Sequence, residues 1–122
     1  MLELTSDRNV KGEFTIVDSR EILSKVAKLP IARWHYTNAP GIRHIGPTAQ
    51  DFLCAFGVGS DDKHIATVDA DGVALAAIQG LKDKLEAEVK KKDAEIASLE
   101  QRVGELERLV GKLVQRPVAG RE

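Results

Sequence analysis

The sequence predicts an α+β fold: a small head of helices and a short antiparallel hairpin, followed by a long C-terminal helix in a parallel coiled coil. Composition supports this division, because all five aromatic residues lie before residue 57. Charge is distributed the other way, with 19 charged residues among the last 42 against 18 among the first 80. A head of about 55–65 residues buries too little surface to be comfortably stable alone. We therefore expect this chain to associate with other chains.

The first half of the head is predicted from alternation and capping signals. Alternating apolar residues over Phe14–Val17 predict a short strand. Asp18 then predicts the N-cap of a first helix, which Pro30 ends because proline excludes the helical conformation before it. The apolar face of that helix consists of Ile22, Leu23, Val26 and Leu29.

A β-hairpin is expected next. Strand-forming residues alternate over 31–37, a turn is predicted at 38–41, and a returning strand is predicted at 42–45. In such a hairpin we expect His35 and His44 to face each other.

A second helix and the start of the long helix complete the head. The second helix is predicted over Pro47–Phe56, with Gly57 as its C-cap. A polar loop follows over 57–64, and residues 65–68 have the composition of a short strand. Asp69 or Asp71 is expected to cap the long helix.

The long helix carries a seven-residue apolar repeat, which is the strongest pattern in the sequence. With Leu75 at position a, ten of the twelve a and d sites are aliphatic, and Lys82 and Lys92 are the two exceptions. About 45 residues at 1.5 Å per residue form a helix roughly 65–70 Å long, which requires partner helices to cover its stripe. Valine or isoleucine at a with leucine at d favours parallel dimers, but the charges at e and g do not specify a clean pairing, so the repeat predicts a parallel oligomer of two or three chains. The predicted coiled-coil core is Leu75, Ile78, Leu85, Val89, Ile96, Leu99, Val103, Leu106, Val110 and Leu113.

Composition excludes several classes of function. A net charge of −1 gives no overall basic field for nucleic acid, and no apolar stretch is long enough to span a membrane. The N-terminus is too short and too acidic for a secretory signal peptide. A single cysteine, Cys54, excludes an intrachain disulfide and a cysteine-based zinc site, and we expect it to be a small buried residue.

Ser6 and Lys11 are the candidate catalytic pair. A serine hydroxyl is a weak nucleophile until a base takes its proton, and a lysine across a turn can be that base. From spacing alone, an exposed turn with a solvated lysine is the more common interpretation. No metal or cofactor is expected, because His35, His44 and His64 lack a further ligand at a suitable spacing. Asp69 begins a stretch similar to a calcium loop, but its twelfth position is Gly80 rather than glutamate.

A series of short motifs in a fixed order resembles the endosialidase-type intramolecular chaperone domain, which closes many phage tail spikes and tail fibres. The resemblance spans roughly residues 5–115. Its motifs are Ser6-Asp7-Arg8-Asn9-Val10-Lys11, Ile22-Leu23 to Leu29-Pro30, Trp34-His35-Tyr36, Arg43-His44-Ile45-Gly46-Pro47, Ala49-Gln50-Asp51-Phe52, Asp61-Asp62-Lys63-His64-Ile65, and Val68 to Leu75 running into Gln79.

The resemblance implies a homotrimer that helps a fibre fused upstream to fold and then releases itself. Carried over, Ser6 attacks the Thr5 carbonyl with Lys11 as the base, so the chain is cut between Thr5 and Ser6. The partners are then other copies of this chain and the upstream fibre client, without nucleic acid or membrane. Such a domain works in the cytoplasm during assembly, or on the fibre before release.

The domain prediction is a remnant over 1–5, an α+β head over 6–72, a coiled-coil helix over 73–116 and a flexible tail over 117–122. Because only five residues precede Ser6, we expect either an excised piece of a longer protein or a remnant reading frame. Two other functions remain open at this point. One is a structural trimerisation module without proteolysis, and the other is a coiled-coil adaptor for a helical partner.

Overall fold

The computed structural model describes residues 5–115, which belong to two compact units divided between Asp83 and Lys84. The predicted fold class is confirmed: helices and a two-stranded antiparallel hairpin precede a long C-terminal helix. The elements are a 3-10 turn at Arg8–Val10, α1 at Ser19–Lys28, β1 at Ala32–Tyr36, β2 at Ala39–Gly46, α2 at Ala49–Phe56 and α3 at Thr67–Gln115.

α1 begins and ends at the predicted signals, and α2 ends at the predicted Gly57 but begins at Ala49, two residues after the predicted Pro47. The Asp18 carboxylate accepts hydrogen bonds from the backbone N–H groups of Arg20 and Glu21, so it is the N-cap of α1. The Thr48 hydroxyl caps α2 in the same way, and Gly57 ends α2 in the left-handed conformation, with φ of 63°.

Cys54 is exposed, so the prediction of a buried cysteine is wrong. It lies two residues after Phe52 in α2, which is about 200° around the helix axis. Phe52 is the buried residue of this helix, and the opposite side therefore faces solvent.

The hairpin is present, but its turn is shorter and earlier than predicted. Thr37 and Asn38 form a two-residue turn, and the register pairs Tyr36 with Ala39 and Trp34 with His44. The strands are irregular between these pairs, because two steps along β1 are matched by five along β2.

The two hairpin histidines do not face each other, so that prediction is wrong. His44 lies opposite Trp34, and their rings stack with centroids 4.8 Å apart. His35 is the next residue after Trp34 and therefore points to the other side of the strand, where its Nδ1 lies 2.9 Å from the Tyr36 carbonyl oxygen.

Three further local predictions are wrong. Phe14–Val17 forms no strand, and among the described residues no third strand lies beside the hairpin. Residues 65–68 are not a strand either, because α3 begins at Thr67. The carbonyl of Ala66 accepts hydrogen bonds from the N–H groups of Asp69 and Ala70, so Asp69 and Asp71 lie inside the helix rather than capping it.

The N-terminal unit has a very small core. Its buried apolar side chains are Phe52 and Ala77, which are 4% and 7% exposed. Gly80 is also buried, and a Cβ atom there would overlap the Ser19 carbonyl oxygen of α1. The segment of α3 around Gly80 therefore packs closely on the start of α1, where the Ser19 hydroxyl also donates to Asp83 at 3.5 Å.

The C-terminal unit, described over 84–115, is a continuous helix whose predicted heptad side chains are at least half exposed. These side chains are Leu85, Val89, Ile96, Leu99, Val103, Leu106, Val110 and Leu113. The predicted helix end at Pro117, the tail 117–122 and residues 1–4 of the remnant lie outside the described residues. Within the described part, no helix is both long and apolar enough to cross a membrane.

Candidate functional site

A short turn near the N-terminus brings the Ser6 and Lys11 side chains together. The Asp7 carboxylate accepts a hydrogen bond of 2.9 Å from the Asn9 N–H and so caps the 3-10 turn that follows. Two backbone bonds close the turn, from the Val10 N–H to the Asp7 carbonyl and from the Lys11 N–H to the Arg8 carbonyl. The chain direction reverses within six residues, which returns Lys11 to Ser6.

The Lys11 Nζ donates a hydrogen bond of 2.6 Å to the Ser6 Oγ. Both residues are exposed. Among residues 5–115, Lys11 forms no ion pair, so the serine hydroxyl rather than a carboxylate is its partner. This distance is short enough for a proton to pass between the two atoms. The two predicted catalytic residues therefore meet, while their catalytic roles stay a prediction.

The predicted cleavage site is the peptide bond next to this pair. Thr5 is ordered by a long hydrogen bond of 3.5 Å, in which its hydroxyl accepts from the Asp7 N–H. In any protein the hydroxyl of a serine can reach the carbonyl carbon of the preceding residue by closing a five-membered ring. The nucleophile and its target thus belong to adjacent residues of one chain, which is the most favourable case of proximity.

A second feature, which the sequence did not predict, is a cleft beside the hairpin with a volume of about 850 Å³. The aromatic rings of Trp34 and Tyr36 line it, together with Lys63 and His64 of the loop before α3. The Trp34 ring meets Tyr36 edge-on at 4.8 Å and stacks on His44. The Trp34 Nε1–H is buried, and no described residue accepts a hydrogen bond from it. The available signal was the two-residue spacing of Trp34 and Tyr36, which puts both rings on one side of β1.

Asp61 and His64 form a third arrangement. The Asp61 carboxylate accepts hydrogen bonds from the N–H groups of Lys63 and His64, and its two oxygens lie 2.9 and 3.0 Å from His64 Nδ1. The Lys63 N–H, followed by the His64 side chain, lowers the pKa of Asp61 below its usual 3.8. The contact orients the imidazole at the cleft, although neither residue was predicted as part of a site.

Within the described part of the chain, no three histidine, cysteine, aspartate or glutamate side chains are grouped so that they could hold a metal ion. Asp69 and Asp71, at the start of the sequence similar to a calcium loop, lie on α3 as helical residues. An α-helix does not arrange consecutive ligands around one cation as a loop does.

Comparison with known proteins identifies a family for the segment that contains the Ser6–Lys11 pair. Residues 6–56 match the peptidase S74 family model, described as chaperone of endosialidase. The predicted resemblance to the endosialidase-type chaperone domain is therefore confirmed over this segment, which begins at Ser6 and ends with α2. No curated protein matches the chain.

Proposed function

We propose that this chain, whose residues 6–56 match the chaperone of endosialidase, is an intramolecular chaperone that trimerises an upstream fibre client and then cuts itself free between Thr5 and Ser6. The family match supports a chaperone role in general. The single observation that carries the self-cleavage is the 2.6 Å hydrogen bond between Lys11 and Ser6, because it joins a nucleophile to a possible base. The bond to be cut lies directly before that nucleophile.

The proposed reaction has two steps. Neutral Lys11 takes the proton of the Ser6 hydroxyl while the oxygen attacks the Thr5 carbonyl carbon. The C–N bond then breaks, and the Lys11 ammonium returns the proton to the departing Ser6 amine, which leaves an ester between Thr5 and the Ser6 oxygen. A water molecule hydrolyses that ester, giving a Thr5 carboxylate, a free Ser6 hydroxyl and a new N-terminus at Ser6.

The reaction requires Lys11 in its neutral form. Excluding water disfavours the charged form of a lysine, whereas a neighbouring carboxylate would favour it. Lys11 has no carboxylate partner among the described residues, but it is exposed in the single chain. We therefore propose that assembly of the trimer covers this turn and makes Lys11 a competent base, so that cleavage follows assembly.

The exposed stripe of α3 supports the oligomer. Leucine, isoleucine and valine occupy six consecutive a and d sites from Ile96 to Leu113, and each is at least half exposed. Such a stripe is stable in water only when other helices cover it. The heptads favour parallel chains, and the choice of three chains over two rests on the family resemblance. In this proposal the copies associate in the cytoplasm, where the client folds.

Intact-mass measurement of the purified 122-residue chain tests the self-cleavage. We expect a mass corresponding to Ser6–Glu122 for the unchanged sequence. Ser6→Ala removes the nucleophile and Lys11→Ala removes the base, so each variant should keep its first five residues. Sedimentation should find the same trimer in all three proteins, because neither side chain belongs to the apolar stripe.

Matched controls separate chemistry from general damage. Ser24→Ala and Lys28→Ala make the same changes at exposed positions of α1 and should leave cleavage intact. If the Ser6→Ala variant still loses five residues, the assignment of the nucleophile is wrong. If the unchanged chain is an uncut trimer, the chain is a structural trimerisation module instead, and if it is an uncut monomer, an adaptor is favoured.

A further inference from the structure

The segment 12–17, between the Ser6–Lys11 turn and α1, is an irregular stretch with exposed apolar side chains, in which Glu13 has a left-handed backbone conformation with φ of 53°. No hydrogen bond joins it to any other described residue. Phe14 and Val17 are largely exposed, and Ile16 is 101% exposed. A short segment that exposes several large apolar side chains and makes no backbone hydrogen bonds is typical of a chain that packs against another surface.

One side of the hairpin is exposed and apolar in its centre. Arg33 lies directly opposite Ile45 in the register, and Ile31 lies two residues before Arg33, on the same side, while Arg43 precedes Ile45 by two residues at the start of the irregular part of β2. Ile31 and Ile45 are 56% and 69% exposed. The opposite side of the hairpin, by contrast, contains the half-buried side chains of Trp34 and His44. We call Ile31, Arg33, Arg43 and Ile45 the outer hairpin face.

The segment and the outer hairpin face have complementary charges. Glu13 begins the exposed part of the segment, while Arg33 and Arg43 contribute two positive charges to the face. None of these three side chains forms an ion pair with another described residue. The segment and the face therefore offer both apolar surface and opposite charge, and neither is used within the single chain.

We propose that segment 12–17 of one chain packs on the outer hairpin face of a second copy. Phe14 and Ile16 cover Ile31 and Ile45, and Glu13 lies near the arginines. The occupant is a copy of this chain, because every chain carries both the segment and the face, and Ile16 is fully exposed on its own chain. This inference rests on the proposed trimer, in which parallel α3 helices bring the N-terminal residues of three copies together.

The contact joins two different surfaces, so it can repeat around a ring, and in the proposed trimer that ring closes after three copies. It also gives assembly a direct route to the Ser6–Lys11 pair, because segment 12–17 begins at the residue after Lys11. Ordering the segment against a neighbour reduces the water around the Lys11 ammonium. Cleavage then waits until the neighbouring chain has bound.

Disulfide trapping in the full chain tests this contact. All variants carry Cys54→Ser, which removes the native exposed thiol. With Ile16→Cys and Ile45→Cys together, mild oxidation should link each chain to the next and give covalent trimers on a non-reducing gel. Either cysteine alone should give no species larger than a covalent dimer, because each chain then has one thiol.

The control pair is Ile16→Cys with Ile42→Cys. Ile42 is as exposed as Ile45 but lies three residues away, about 10 Å along the strand and beyond disulfide reach. Covalent trimers from the Ile16→Cys, Ile45→Cys variant, together with none from the Ile16→Cys, Ile42→Cys control, support the proposed contact. Two outcomes overturn the proposed contact and leave the proposed function intact. One is a preparation that sediments as a trimer but forms no covalent trimers, and the other is equal disulfide linking of both cysteine pairs. A monomer in every sample overturns the proposed function itself.

Discussion

The two compact units use their apolar residues in different ways. The N-terminal unit buries Phe52 and Ala77 and packs α3 on α1 at Gly80. In the C-terminal unit, described over 84–115, no side chain is buried, although the apolar repeat there is the more regular of the two patterns. A regular stripe of apolar side chains on a helix is therefore not evidence that the same chain buries that stripe in a core. A small irregular core forms locally, whereas a regular heptad repeat is typical of a surface that other helices cover.

The largest effect is expected from a charge in the stripe. Leu99→Asp puts a carboxylate at a d site of every helix, where assembly would remove it from water at a cost of several kcal/mol. We expect the concentration needed for half-assembly to rise more than about a hundredfold, since each factor of ten corresponds to about 1.4 kcal/mol. Sedimentation over a concentration series measures this shift.

Ser98→Asp is the matched control, because it adds the same charge one residue away from the d site. Ser98 is exposed, like Leu99, in the single chain. If Leu99→Asp and Ser98→Asp require the same concentration for half-assembly, the apolar stripe does not hold the oligomer together. The two units would then not differ in how they use their apolar residues.

A buried residue of the N-terminal unit should give the next largest effect. Phe52→Ala empties the largest buried site, where the Phe52 and Phe56 rings lie 4.9 Å apart, and should cost about 3–5 kcal/mol of unfolding free energy. Val58→Ala, at an exposed position of the loop after α2, should cost much less. Chemical denaturation of both variants provides the measurement, and equal losses would mean that this small core is not what stabilises the unit.

The sequence predicted the helices better than the connections between them. Asp18, Pro30 and Gly57 are local signals whose physics depends on a few neighbouring residues, so α1 and the end of α2 lie where expected, while α2 begins two residues after the predicted Pro47. The Phe14–Val17 alternation has the same appearance as a strand, but a strand needs a partner, and the single chain provides none among its described residues. The turn of the hairpin was misplaced because Ala39, Pro40 and Gly41, which have the composition of a turn, pair irregularly in β2 instead.

The candidate site was predictable where it depends on neighbouring residues in the sequence, and not where it depends on the fold. The five-residue spacing of Ser6 and Lys11 allows their contact, and Asp7 supplies the cap that closes the turn between them. The orientation of His64 by Asp61 follows from a loop conformation that no periodic pattern encodes. The aromatic cleft depends on residues from the hairpin, α2 and the following loop, whose proximity is a property of the fold.

Replacing glycine by alanine should lower the stability of the N-terminal unit at Gly80 and raise the stability of α3 at Gly104. Gly80→Ala introduces a Cβ atom against the backbone of Ser19, so α1 and α3 must separate, at a cost of about 1–3 kcal/mol. Gly104→Ala faces open space and should stabilise α3 by up to about 1 kcal/mol, because alanine is the better helix former. Thermal unfolding of both variants measures the difference, and two changes of the same sign would contradict the close approach of α1 and α3.

The smallest effect is expected at Asp61, in the loop before α3. Folding lowers its pKa, chiefly through the Lys63 N–H and then the His64 side chain, so this carboxylate contributes stability above its unfolded value of 3.8. That contribution is lost as the pH falls through the lower folded value. Asp61→Asn should therefore lower the midpoint of thermal unfolding slightly near pH 5 and have no effect once the pH is well below the lowered folded pKa of Asp61. Asp62→Asn is the control, because Asp62 accepts no backbone hydrogen bond among the described residues and contacts only the exposed Lys63 ammonium, at 3.7 Å. If Asp61→Asn and Asp62→Asn give the same difference from the unchanged chain at every pH, the loop does not owe its stability to the Asp61 contacts.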